Sequence, residues 1–202
     1  MQNYIKKTLE YYENNAEDYA NQWTDDFLKN YDFTIPDIFL SYLRDGDSIL
    51  DLGCGPGRDS KFFLEHGYKV TAIDGSKKFC DMASKILNTP VTNINFLDMD
   101  YNEEFAGVFA CASLLHLENQ DLIKVLKSVH KALKKDGILY CSFKKGDGTR
   151  LDEKNRFYND MNEEKFKALI NDLPTKYKIL KTWEGDQYKS HKKFINFILR
   201  KN

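Results

Sequence analysis

Six residues between positions 51 and 59, with one acid further on, have the types and spacing to do chemistry. Gly53, Gly55 and Gly57 punctuate a short turn, with Asp51 two residues before it and Arg58-Asp59 directly after. Asp74 ends the next apolar run. Glycines at a turn let the backbone approach a ligand where a Cβ would collide with it. A helix beginning at about Arg58 presents free N–H groups to an anionic group. A carboxylate about twenty residues after such a turn can accept hydrogen bonds from both hydroxyls of a ribose. Asp51 can orient the loop or receive an ammonium, and Cys54 lies inside the turn. The dinucleotide fingerprint G-x-G-x-x-G requires a third glycine where Arg58 stands. An acid before the loop and an acid on the ribose suit a cationic amino-acid nucleoside better than a pyrophosphate. A nicotinamide dinucleotide remains the competing ligand.

The elements that position these residues follow from periodicity. Ile49 to Leu52 reads as a strand, Arg58 to His66 as an amphipathic helix, and the run ending at Asp74 as a second strand: a βαβ unit. Gly75-Ser76 opens a helix from Lys77 to about Leu87. Asn93 to Phe96 is expected as a third strand, and Val108 to Ala112 as a fourth, apolar enough to be buried on both faces. A helix over Asp121 to Leu133 leads through Lys135-Asp-Gly into a strand at Ile138 to Phe143. Lys144 to Asn159 reads as a charged loop, followed by a helix from about Asn162 to Ile170. Strand-like runs at Tyr177 to Trp183 and Phe194 to Leu199 close the chain without a helix between them, which predicts an antiparallel hairpin at one sheet edge. Before the core, Ile5, Leu9, Tyr12, Ala16 and Tyr19 form one helical stripe. Its tyrosines either close over a ligand pocket or cover the sheet edge. Thr34 to Leu43 supplies a further short helix, with Thr34 as its N-cap.

Composition narrows the functional classes. The 202 residues suit one domain, with 1–45 as cover helices and 46–202 as the core. A net charge of −1 advertises neither nucleic acid nor an anionic membrane. The first residues lack the apolar centre of a signal peptide, and Phe105 to Leu115 is too short to span a bilayer. Cys54, Cys80, Cys111 and Cys141 show no metal-ligand spacing and read as the reduced thiols of a cytoplasmic protein. No metal site is expected.

DLGCGPGRD followed by VTAIDGS resembles the class I S-adenosylmethionine-dependent methyltransferases. ACASLLHL, KKALKKDGILYCSFKKG and NRFYN, with EYYENNAEDY and FINFILRK near the ends, resemble small bacterial members of the tellurite-resistance type. The resemblance implies a Rossmann-like, seven-stranded, mostly parallel α/β sheet with helices on both faces. It implies S-adenosyl-L-methionine as cofactor, S-adenosyl-L-homocysteine as product, and ligands beyond the carboxyl ends of the strands. Carried over, Gly53, Cys54, Gly55, Gly57, Asp74, Gly75 and Ser76 surround the nucleoside. Asp98 accepts from the adenine amino group and Met99 lies against the ring. Ala112, Ser113 and Leu114 contact the methionine portion and His116 faces the acceptor, as a general base if the acceptor arrives protonated. Arg58 pairs with the methionine carboxylate, or instead with Asp59 or Asp51. Tyr12 and Tyr19 are cofactor-side residues on the first helix. Arg150, Arg156 and Tyr158 are candidates for the acceptor side.

The acceptor is expected to be a small molecule. No Asn/Asp-Pro-Pro-aromatic motif or Pro-Cys pair marks a base-modifying enzyme, and the cysteines do not cluster as arsenic methylation would need. The alternatives are an RNA (tRNA) methyltransferase, for which Lys176, Lys178, Lys181, Lys189, Lys192 and Lys193 could meet phosphates, and a non-catalytic cofactor-binding partner subunit. The oligomeric state is left open.

Overall fold

The computed structural model describes residues 2–21, 33–186 and 193–202; Lys189 and Lys192 lie outside the described residues. The helices are α1 (Asn3–Asn14), α2 (Ala16–Ala20), α3 (Thr34–Leu40), α4 (Arg58–Glu65), α5 (Lys77–Leu87), α6 (Asn119–Ala132) and α7 (Glu163–Asn171). The strands are β1 (Ser48–Leu52), β2 (Lys69–Asp74), β3 (Thr92–Asn93), β4 (Phe105–Ala110), β5 (Leu133–Lys144), β6 (Gly148–Leu151), β7 (Phe157–Asp160), β8 (Tyr177–Asp186) and β9 (Lys193–Lys201). Seven strands form one sheet in the order β3-β2-β1-β4-β5-β9-β8. The first five run parallel, and β9 enters antiparallel beside β5 with β8 outside it. The strand order reverses between β1 and β4, which is where open α/β sheets place a ligand.

Alternation along the strands loads both faces. On β1, Ile49 joins Phe39 of α3, Phe62 and Phe63 of α4 and Tyr140 in one apolar cluster. Leu50 and Leu52 join Leu122, Val125 and Val129 of α6 and Phe166 of α7 in the other. Successive residues of a strand point to opposite faces, so this single strand anchors both layers. Ser76 and Asn162 start α5 and α7 by accepting the N–H of Phe79 (3.2 Å) and of Lys165 (2.8 Å), each satisfying a donor that the helix leaves open.

The structure corrects four expected elements. The third strand is only Thr92–Asn93, because the Asn95 side chain accepts the N–H of Leu97 (2.9 Å) and turns the chain into a 3₁₀ turn at Phe96–Asp98. The first helix breaks at Asn15, whose amide donates to the Tyr11 carbonyl at 2.8 Å. The N-cap of α3 is Phe33 rather than Thr34. The stretch 144–159 is not a loop but contains the β6–β7 hairpin. Its polar residues are paired: Arg150 with Asp160 (2.8 Å) and Arg156 with Asp152 (2.7 Å). Buried Asn159 donates to the Leu117 carbonyl (3.0 Å) and to the Asn119 side chain (2.8 Å). No helix among the described residues is long and apolar enough to cross a membrane.

Candidate active site

A cavity of about 400 Å³ opens at the carboxyl ends of β1, β2 and β4, within the range of roughly 300–1,000 Å³ typical of small-molecule sites. Its floor is the glycine turn. The N–H groups of Gly53 and Cys54 both donate to the Ile73 carbonyl (2.9 and 3.1 Å), which ties the turn to β2. Gly53 has φ +87°, and a Cβ there would stand 2.5 Å from the Ser113 Cβ and 3.0 Å from the Phe96 ring. Side chains of Ser113 and Phe96 already crowd the place of a Cβ, so this position requires glycine. Gly57, at φ +97°, begins α4, and the Arg58 guanidinium forks onto Asp59 at 2.8 and 2.5 Å.

Asp74 links turn and helix. One carboxylate oxygen accepts the Gly55 N–H at 2.9 Å and the other the Ser76 N–H at 2.8 Å. Burial pushes its carboxyl up to about 6, against the pull of those backbone donors. Asp51 is buried at the end of β1, where it accepts the Ser60 hydroxyl at 2.6 Å. Burial first, and the charge of Asp59 second, push Asp51 up to about 7 from an ordinary 3.8.

A pH dependence of stability follows from Asp51. Its folded-state value lies above the unfolded one, so between about pH 4 and pH 7 the folded protein holds a proton the unfolded chain has lost. Stability from this group is full below about pH 4 and falls as the pH rises to about 7. The fall is on the order of 4 kcal/mol. Urea denaturation of wild type and Asp51→Asn at pH 4.5 and pH 7.5 checks it. The variant is expected to lose Asp51's share of the decline, leaving the smaller share of Asp74, and an unchanged decline would assign it to other groups.

The outer wall is α1. Thr8 accepts the Phe157 N–H at 3.0 Å, Leu9 packs on Gly75, and the Glu13 carboxylate accepts the Ser76 hydroxyl (2.7 Å) and the Lys78 N–H (3.1 Å) at the start of α5. Tyr12, Tyr19 and Phe79 form a triangle of rings with centroids 5.5–6.0 Å apart. Facing them on the 3₁₀ turn Leu114–His116, the His116 Nδ1 lies 2.6 Å from the Phe157 carbonyl and Nε2 lies 2.9 Å from the Tyr12 hydroxyl. Burial lowers His116 to about 4, so the imidazole is neutral at pH 7.

Of the residues singled out from sequence, Tyr12, Tyr19, Gly53, Cys54, Gly55, Arg58, Asp59 and Asp74 line this cavity, as do Gly75, Ala112, Ser113 and His116. Asp51, Gly57 and Ser76 stand behind that lining and hold the turn and the two helix starts. Asp98 is exposed on its 3₁₀ turn and outside the lining, while Met99 and Leu114 are packed into the core. Asn95 and Phe96 line the cavity in that region. Tyr158 is buried behind His116, with Lys144 Nζ 3.5 Å above its ring and the Arg150 guanidinium 4.8 Å away. Arg156 reaches the Tyr12 hydroxyl at 3.4 Å. These three flank the cavity without lining it. Sequence reasoning missed Thr8, Leu9, Phe79 and Cys111. Thr8 and Leu9 could have been found, since they fall on the same helix face as Ile5 and Tyr12.

Residues 49–137 match a family model described as a methyltransferase domain. The sheet order is that of a Rossmann-like methyltransferase fold, closed by a C-terminal antiparallel hairpin. The chain is 38% identical over 108 residues to YqeM of Bacillus subtilis (strain 168), named as a methyltransferase; the match covers 48% of this chain and 43% of YqeM. It is 32% identical over 101 residues to the cypemycin N-terminal methyltransferase of a Streptomyces species, covering 48% and 41%. The chain thus spans less than half the length of these relatives. Its fold is similar to that of 1,6-didemethyltoxoflavin-N1-methyltransferase from Burkholderia thailandensis, at TM-score 0.80 and 22% identity over 98% of this chain and 89% of that one.

Proposed function

We propose that this chain is a single-domain S-adenosylmethionine-dependent methyltransferase acting on a small-molecule acceptor, and more finely one of the tellurite-resistance type. One observation carries the reading: a buried carboxylate, Asp74, holds the glycine turn that floors a cavity at the reversal of strand order. Gly55, at φ +55°, has nothing within 4 Å of where a Cβ would stand, which fits close approach of the backbone to a nucleoside. Asp74 and the turn would hold the ribose, Asn95 and Phe96 the base, and Ala112 and Ser113 the amino-acid end. Asp98 would reach the base from the rim. The structure of the 1,6-didemethyltoxoflavin-N1-methyltransferase holds S-adenosylhomocysteine and 1,6-didemethyltoxoflavin, which supports the cofactor and a small acceptor.

S-adenosylmethionine supplies a methyl group on a sulfonium, already joined to a good leaving group. The protein's part is alignment and exclusion of water. Tyr12, Tyr19 and Phe79 wall the acceptor side with apolar rings, and His116 presents a neutral imidazole there for a proton that must leave. Calorimetric titration with S-adenosylmethionine and S-adenosylhomocysteine, with NAD as control, tests the reading. Saturable binding of the first two alone is expected. Binding of NAD alone would overturn it, and binding of none would favour a partner-dependent or non-catalytic domain.

A further inference from the structure

Resting on that reading, we propose that the Tyr12 hydroxyl is a proton relay between the methyl acceptor and His116, so that the acceptor is one that arrives with a proton on its reacting nitrogen or oxygen. The argument begins with the tautomer. Nδ1 of His116 faces a backbone carbonyl, the Phe157 oxygen at 2.6 Å. A carbonyl only accepts, so the ring hydrogen sits on Nδ1 and Nε2 presents the lone pair. That lone pair is taken by Tyr12, whose hydroxyl donates to it across 2.9 Å. The tyrosine oxygen in turn receives Arg156 Nη1 at 3.4 Å.

Tyr12 and His116 both line the cavity, and Arg156 stands behind them. With the Tyr12 hydroxyl on the Nε2 lone pair, a proton leaving an acceptor reaches the histidine through the Tyr12 oxygen. The other acidic groups of the lining are committed: Asp74 to two backbone N–H groups and Asp59 to Arg58. In the transfer, the acceptor heteroatom forms its bond to the methyl carbon as the carbon–sulfur bond breaks and its electron pair returns to sulfur. The acceptor's proton passes to the Tyr12 oxygen while the proton of Tyr12 passes to His116 Nε2. The Arg156 guanidinium stabilises negative charge that builds on the tyrosine oxygen as the two protons move. The imidazolium then releases its proton to solvent. The aromatic wall of Tyr19 and Phe79 beside this oxygen favours a planar acceptor.

The test compares the full chain with Tyr12→Phe, which keeps the ring packing and removes only the hydroxyl. With histidine labelled by ¹⁵N, the wild type is expected to show a protonated Nδ1 and a hydrogen-bonded, unprotonated Nε2 at His116, with and without S-adenosylhomocysteine. In Tyr12→Phe the Nε2 resonance is expected to move toward that of a free imine nitrogen while Nδ1 stays. A second arm measures label transfer from S-adenosyl-[methyl-¹⁴C]methionine to phenols, arylamines and N–H heterocycles, and to dimethyl sulfide, which has no proton to lose. The rate ratio between proton-bearing acceptors and the thioether is expected to fall at least tenfold in the variant, in line with roughly 10²–10⁴-fold for positioned proton transfer. An Nε2–H tautomer, an Nε2 signal indifferent to the hydroxyl, or an unchanged ratio overturns the relay. If no acceptor in the panel is turned over, the tautomer decides. Failure to bind S-adenosylmethionine or S-adenosylhomocysteine would instead overturn the methyltransferase reading, and the two failures are distinct.

Discussion

Asp74→Ala is expected to weaken S-adenosylmethionine binding by at least about a hundredfold, with a much smaller change in stability. Two hydrogen bonds from ribose hydroxyls to a carboxylate account for the first part, at roughly 1.5–3 kcal/mol for each bond to a charged group. The second part is a near cancellation. The variant leaves the Gly55 and Ser76 N–H groups without their acceptor, which destabilises. It also removes a carboxylate that burial raises to about 6, which relieves a cost of roughly 3 kcal/mol at pH 7. Calorimetry of cofactor binding beside urea denaturation separates the two quantities. Equal losses in both would mean that Asp74 serves the fold rather than the ligand. Unaltered affinity would mean that the ribose partner lies elsewhere.

Gly53→Ala is the second large effect, and here stability itself is expected to fall. At φ +87° any side chain is strained, by roughly 1–3 kcal/mol. The new methyl also stands 2.5 Å from the Ser113 Cβ, and overpacking of this kind adds roughly 1–3 kcal/mol. Ser113 cannot easily yield, because its hydroxyl donates to the Leu52 carbonyl at 2.6 Å. Gly67→Ala is the internal control: φ is +84°, but nothing lies within 4 Å of its added methyl. The two variants share the backbone strain and differ in the collision, so their difference in denaturation free energy isolates the collision. Equal destabilisation would show that the turn relaxes to accept a methyl.

The βαβ unit could be read from residue types because its signals are local. Glycines open the turn, an acid ends β2, and helix and strand periods switch between them. The same holds for the C-terminal hairpin, where two strand-like runs lack an intervening helix. The β6–β7 hairpin carries no such signal. Its buried residues, Phe157 to Asn159, are flanked by arginines and aspartates that become tolerable only when each finds its partner across the turn. The third strand failed for a similar reason: one hydrogen bond, from the Leu97 N–H to the Asn95 side chain, redirects the chain after two residues of pairing.

Within the site, polar and glycine residues announced themselves, while Leu9, Phe79 and Cys111 line the cavity with no chemical signature. Leu114 shows the opposite limit. Ser113 before it lines the cavity, yet the Leu114 side chain belongs to the core, because a turn that sends one residue into the cavity sends the next away from it.

The anchoring of α1 has a consequence for how the molecule comes together. Tyr4, Thr8, Tyr12 and Glu13 reach Asp121, Phe157, His116 and Ser76, partners that lie 117, 149, 104 and 63 positions along the chain. Contacts of such separation close large loops and come at an entropic cost that local contacts do not carry. The partners are themselves in place only once the parallel strands and β7 have assembled. On this ground α1 is expected to dock late, so that the chamber acquires its outer wall only after the sheet behind it has formed.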